Sequence, residues 1–178
     1  MVAERDQHLV VAPSLWVVRW AHLVPPGGAV LDVAAGGGRH TRYFAGLGHP
    51  VLAIDRDVAA LDRDLAGVAA LEADLEDGSP WPLPGRTFAA VIVTNYLWRP
   101  ILPFVVASVA PGGALIYETF ARGNERFGKP SNPAFLLEPG ELLEAVRGQL
   151  TVRAYEHGED DVPKRAMRQR IAAVRPEL

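Results

Sequence analysis

The densest chemistry in the chain lies in one short string, Val30-Leu31-Asp32-Val33-Ala34-Ala35-Gly36-Gly37-Gly38-Arg39-His40. Small residues at Ala34, Gly36 and Gly38 let a ligand approach the backbone, and glycine also tolerates positive φ. If a helix begins at Arg39, its unpaired N–H groups point into the same space and favour an anion, either a phosphate or an amino-acid carboxylate. His40 would sit in the first turn of that helix, where the helix field disfavours its protonation, within reach of a ligand or simply on the helix surface. Asp55 follows about twenty residues after the turn, the spacing from which a carboxylate accepts hydrogen bonds from a ribose diol. Arg56 shares that position and is grouped with it. Asp74, one strand later, is placed to accept a hydrogen bond from an adenine amino group, with Leu75 covering the ring. The plainer accounts are a helix N-cap at Asp55 or Asp57 and a solvated acidic turn of Glu72, Asp74, Glu76 and Asp77.

These residues need strands and helices to hold them. Leu15, Trp16, Val18, Trp20 and Leu23 predict a helix that Pro25-Pro26-Gly27-Gly28 must stop. Its two tryptophans can fold over the site, pack on a sheet or mark a dimer surface. Ala29 to Ala34 is a short apolar run suited to a strand buried on both faces of a parallel sheet. Arg39 to Leu47 predicts a helix ended by Gly48. Val51 to Ile54 predicts the second strand, closing with Asp55, and Val58, Leu61 and Leu65 recur at helical spacing as far as Gly67. Val68 to Glu72 and Phe88 to Val93 predict the third and fourth strands across a Pro- and Gly-rich connection. A helix over Ile101 to Val109, a break at Pro111-Gly112-Gly113 and a fifth strand over Ala114 to Glu118 complete the alternation, which makes a parallel sheet the default. A short helical run from Pro139 through Val146 comes next. Leu150 to Tyr155 and Arg170 to Val174 then have no helix between them and should pair antiparallel as a long hairpin.

The chain has 178 residues, 49% hydrophobic and 22% charged, which favours a single globular domain over residues 1–178. A net charge of -3 argues against a strongly basic nucleic-acid surface, so nucleic acid is the less favoured partner. The absence of cysteine excludes disulfides, a Cys-based zinc site and thiol nucleophiles. His8, His22, His49 and His157 are scattered without ligand spacing, and no metal site is predicted. The first residues, charged and interrupted by Pro13, do not read as a signal peptide, and no apolar run reaches the roughly 18 residues of a membrane span. The expectation is a soluble, cytoplasmic protein.

Both nicotinamide dinucleotides and S-adenosylmethionine (SAM) carry a ribose diol for Asp55. The full set of motifs resembles the class I SAM-dependent methyltransferases, and in compactness the chain is similar to the small bacterial enzymes related to the tellurite-resistance methyltransferases. The resemblance spans about Val30 to Val174. Its first motif falls on Asp32, Ala34, Gly36 and Gly38, with alanine in place of the usual first glycine. The second falls on Asp55, the third on Asp74, the fourth strand's exit on Thr94-Asn95-Tyr96, and a PGG turn on Pro111-Gly112-Gly113. What the resemblance implies is a doubly wound Rossmann-like α/β sheet, mostly parallel with a C-terminal antiparallel pair. It further implies SAM as cofactor, S-adenosylhomocysteine (SAH) as product, Asp32 holding the glycine loop from behind, and Thr94 and Asn95 beside the cofactor.

In that fold the methyl group faces the fourth strand's exit. Asn95 and Tyr96 are then candidates to orient a nucleophile, and Trp98 to form an apolar wall or merely pack the next helix. By the rule for open sheets Glu118 points to the same crevice, as a base or as a partner of Arg122. The segment 121–140, with Arg122, Arg126 and Lys129 among Phe127 and Phe135, reads as a loop covering a small-molecule substrate. Two rivals remain open at this point. A nicotinamide-dependent oxidoreductase is compatible with the first unit and Asp55, although Thr41 stands where the dinucleotide fingerprint has its third glycine. A non-catalytic SAM-binding regulatory domain is the other.

Overall fold

The computed structural model describes residues 11–177. The reading of the first residues as lacking a signal peptide falls on 1–10, outside the described residues. The described chain forms one seven-stranded sheet in the order β3-β2-β1-β4-β5-β7-β6. Its strands are β1 (Val30–Val33), β2 (Val51–Asp55), β3 (Val68–Glu72), β4 (Phe88–Thr94), β5 (Val109–Phe120), β6 (Thr151–Asp160) and β7 (Ala166–Val174). The first five run parallel, and β7 inserts antiparallel between β5 and β6. The doubly wound sheet with its C-terminal antiparallel pair is therefore present as expected. The hairpin strands are longer than their apolar centres suggested.

Side-chain alternation divides the core into two layers. Val30, Ala90, Ile92, Ile116 and Ala172 face helices α1 (Leu15–Trp20) and α2 (Arg39–Gly46), meeting Trp16, Val17 and Phe44. Leu31, Val33, Val91, Val93, Leu115 and Tyr117 face the other way, onto Val105 and Val106 of α3 (Leu102–Ala107) and Leu142 and Val146 of α4 (Glu141–Val146). Trp16 is held on the sheet by its indole N–H, which donates to Ile171 O at 3.2 Å. No helix among the described residues is long and apolar enough to cross a membrane.

Two expectations give way. The helix predicted over Val58 to Leu65 is a chain of turns. Asp55 and Asp57 capture the N–H groups of Asp57 and Ala59, at 3.0 and 2.9 Å, and divert the backbone from helical bonding. The helical spacing of Val58 and Leu61 instead reflects a small plug against Ala35 and Ala53. The Pro111-Gly112-Gly113 break lies inside β5, because Val109 already pairs with Phe88 before the register shifts so that Ala90 meets Ala114. A Cβ on Gly113 would stand 2.9 Å from both Ala110 O and Phe88 O, so only glycine lets this irregular strand close on β4. Gly113→Ala should accordingly cost about 1–3 kcal/mol in urea unfolding. Gly46→Ala at the end of α2, where a Cβ meets nothing within 4 Å, should be neutral or slightly stabilising in the same measurement.

Candidate functional site

Strand order reverses between β1 and β4, whose connections leave to opposite sides, so a crevice opens beyond their carboxyl ends. Three alternate residues of the loop after β1 have positive φ: Ala34 (53°), Gly36 (54°) and Gly38 (75°). The loop is pinned at both ends by carboxylates. Thr41 Oγ1 donates to Asp32 Oδ2 at 2.6 Å, tying the start of α2 to β1. Burial raises the Asp32 carboxyl to about 6 against the opposing effect of the Thr41 hydrogen bonds. Asp32 thus supports the loop from behind. Thr41, standing at the third glycine of a dinucleotide fingerprint, is buried and occupied with that task. On the open side, Gly36 N donates to Asp55 Oδ2 at 2.8 Å, while Asp55 Oδ1 accepts from Asp57 N.

A cleft of about 330 Å³ lies there, and it gathers Ala34, Asp55, Arg56, Asp74, Leu75, Asn95 and Tyr96, together with Ala73 and Glu76. Gly36 and Gly38 shape its rim without lining it. Asp74 Oδ1 accepts from Glu76 N at 2.9 Å, leaving Oδ2 without a protein donor among the described residues. Burial first, then Glu76 and the charges of Asp74 and Asp55, pushes the Tyr96 phenol well above its ordinary range. Tyr96 therefore keeps its proton and is unsuited to act as a base.

His40 and Thr94 do not reach this cleft. His40 is buried, its Nε2 accepting from Ser14 N at 3.0 Å and its Nδ1 standing 3.4 Å from Thr94 Oγ1. Burial, aided by Arg39, lowers its pKa to about 3. The ring is then neutral, and because Nε2 accepts, its proton sits on Nδ1 and faces Thr94. A residue expected at the ligand instead fastens the segment before α1 to the exit of β4.

A second cleft, of about 470 Å³, opens on the other side of Asn95. Its walls are residues 11–16, Arg39, Glu118 and the tips of β6 and β7. Asn95, at φ 53°, lines both clefts, donates its N–H to Glu118 O at 3.0 Å and accepts at Oδ1 from Arg168 Nη1 at 2.7 Å. Glu118 does not pair with Arg122, which lies 3.5 Å from Glu138 instead. It accepts at Oε2 from Arg170 Nε at 2.9 Å, and its carboxylate lines this cleft.

The segment 121–140, expected to cover the substrate, lines neither cleft. Its groups are spent on the fold: Asn124 is buried between Pro130 O and Met167 N, Leu136 and Leu137 are in the core, and the Arg99 guanidinium clamps Glu141, Ala134 O and Leu136 O. Trp98 lines a separate apolar hollow with Trp81 and Phe104, which meets the first cleft only at Leu75. Sequence reasoning missed Arg39, Arg168, Arg170, Glu156 and Asp160. The usable signal was Arg168 and Arg170 two apart on a strand, which places both on one face. Starting that strand at Arg170 hid it.

No protein-family model matches the chain, and no curated protein is similar to it. Its fold is that of solved SAM-dependent methyltransferases. TehB from Haemophilus influenzae superposes with a TM-score of 0.71 at 18% identity over 90% of this chain, which spans 61% of TehB's length. A SAM-dependent methyltransferase from Mesorhizobium loti gives 0.66 at 18% identity, covering 89% of this chain and 96% of its own. The Burkholderia thailandensis 1,6-didemethyltoxoflavin-N1-methyltransferase, solved with that substrate and SAH, gives 0.64 at 20% identity over 91% and 76%.

The environment of His40 has a pH signature. Its folded pKa lies below the ordinary value of 6.5, so its contribution to stability is complete above 6.5 and is lost progressively as the pH falls toward 3. Gln at position 40 can accept from Ser14 N without titrating. Between pH 7 and 4.5 the wild type should lose about 2 kcal/mol more stability than His40→Gln in denaturant unfolding. Parallel losses would remove His40 from this role.

Proposed function

We propose that the chain is a SAM-dependent methyltransferase acting on a small-molecule acceptor. The observation that carries this reading is the meeting of two clefts at Asn95: one lined by Ala34 and Ala73 with the carboxylates of Asp55, Asp74 and Glu76, the other large enough for a compact acceptor. The donor set fits SAM. Ala34 and the positive-φ loop leave the backbone open to the ligand. Each Asp55 oxygen has one protein donor and keeps a lone pair for a hydroxyl of the ribose diol. Asp74 retains an acceptor for the adenine amino group, with Leu75 beside it. Arg56 stands at the rim. Asp32, Gly36, Gly38, His40 and Thr94 then act through the loop and the N-terminal segment rather than by contact.

When bound, SAM supplies a methyl group on a sulfonium that departs as a neutral thioether. The protein's task is alignment, worth on the order of 7–11 kcal/mol in favourable cases. Asn95 is placed to orient the acceptor where the clefts join. Tyr96 offers an O–H, and Glu118 holds Arg170 through Oε2 in the wall of the acceptor cleft. That structures with this fold include one with bound 1,6-didemethyltoxoflavin and SAH, and a glycopeptide N-methyltransferase complexed with SAH, supports the choice of cofactor, and the first of them supports a small-molecule acceptor.

Calorimetry with SAH tests the assignment. Saturable binding is expected, and Asp55→Ala should weaken it by about 1–3 kcal/mol because ribose hydroxyls lose their acceptor. Absence of SAH binding at millimolar concentration would overturn the reading.

A further inference from the structure

The acceptor cleft holds Arg19, Arg39, Arg168 and Arg170 against Glu118, Glu156 and Asp160. The carboxylates are not shared evenly. Arg170 contacts all of them: Nε meets Glu118 at 2.9 Å, Nη1 meets Glu156 at 3.5 Å, and Nη2 bonds Asp160. Arg168, on the same face of β7, has a side chain only 8% exposed, and its nearest carboxylate, Asp160, stays at 4.0 Å. Among the described residues its guanidinium makes one hydrogen bond, to Asn95 Oδ1, while its face lies 4.4 Å from the Phe120 ring centre. Arg39 meets no carboxylate within 4.0 Å among the described residues and reaches only Ala12 O, at 3.4 Å.

A guanidinium this buried is costly unless its donors are met, and its planar fork matches a carboxylate. Asn95 adds to the same polarity. With Oδ1 committed to Arg168, its amide presents N–H donors to the cleft. Glu118 is held through Oε2 by Arg170. What remains for a ligand is a set of donors with net positive charge, bounded by the apolar surfaces of Leu15, Trp16 and Val162.

We infer that the acceptor is a small organic anion whose carboxylate docks on Arg168, between Arg39 and the Asn95 amide, with its apolar body toward Trp16 and Val162. This rests on the methyl-transfer reading and adds the charge class of the acceptor. A cationic amine would meet the positive charge of Arg168 and Arg39, and a neutral ligand would leave the Arg168 fork with Asn95 Oδ1 as its hydrogen-bond acceptor.

Benzoate, benzamide and benzamidine share one ring and differ in charge, so their affinities for the SAH-loaded protein at constant ionic strength, followed by tryptophan fluorescence, test the inference. Benzoate should bind at least ten-fold more tightly than the other two. Arg168→Gln should lower benzoate affinity at least ten-fold while SAH affinity stays within two-fold. Should that variant fail to fold, Asn95→Asp at an exposed position supplies Arg168 with an internal carboxylate and should also weaken benzoate at least ten-fold. Equal binding of the three probes, or benzoate binding indifferent to the folded variants, overturns the inference while SAH binding leaves the methyltransferase reading standing. If SAH does not bind but benzoate preference and its dependence on Arg168 persist, the anion site stands and the methyl-transfer reading falls.

Discussion

The hydrogen bond from the Gly36 N–H to Asp55 joins the tips of two adjacent parallel strands, and the arrangement of the site follows from it. It holds the loop after β1 in its alternation of left-handed residues, so that backbone rather than side chain faces the crevice. It also fixes the Asp55 carboxylate, whose other oxygen is held by Asp57 N, with one lone pair of each oxygen directed outward. Asp32 performs the complementary task at the far end of the same loop, through Thr41. Burial and bonding separate the two roles: Asp32, 2% exposed, spends its Oδ2 on Thr41, while Asp55 lines the open cleft.

Asn95 occupies the position that the topology makes singular. The reversal of strand order leaves the end of β4 between two hollows, and a residue at φ 53° there turns its side chain out of the sheet. Asparagine tolerates that backbone better than most residues. Behind it, His40 links Ser14 to Thr94, and Ser14 Oγ in turn accepts from the N–H groups of Trp16 and Val17, at 3.1 and 3.4 Å. The wall of the second cleft is therefore hung from the strand that carries Asn95 through one neutral imidazole. This coupling explains why a histidine in the first turn of α2 is buried away from the space that the helix N-terminus faces.

The strands were legible because a parallel sheet buried on both faces demands short apolar runs, and Val30–Val33, Val51–Asp55 and Phe88–Thr94 are such runs. Glycine and carboxylate positions at their tips were legible for the same reason: strand ends are fixed once the runs are found. The helix drawn over Val58 to Leu65 failed because spacing alone cannot distinguish a helix face from two residues plugging a gap, and aspartates at 55 and 57 compete for the backbone. That the segment 121–140 lines neither cleft was hidden for a different reason. Nothing local tells whether Asn124 or Arg99 spends its hydrogen bonds on a ligand or on the chain itself. Arg168 was invisible because its meaning depends on register across β7, which pairs Glu118 with Arg170 and not with Arg168.

That register also accounts for the length of the terminal hairpin. β6 is an edge strand, and Arg153, Glu156, His157 and Glu159 keep it polar, which opposes pairing with another chain. Glu156 and Asp160 on this strand also reach Arg170, which would otherwise share Glu118 with Arg168. A hairpin that ended near Tyr155, where its apolar residues stop, would still complete the sheet but would supply neither carboxylate. Arg168 and Arg170 would then compete for one partner, and the positive charge now confined to Arg168 and Arg39 would spread along β7. The extension past the apolar core thus does electrostatic sorting: it brings two further carboxylates to Arg170 and leaves its neighbour Arg168 directed at the cleft.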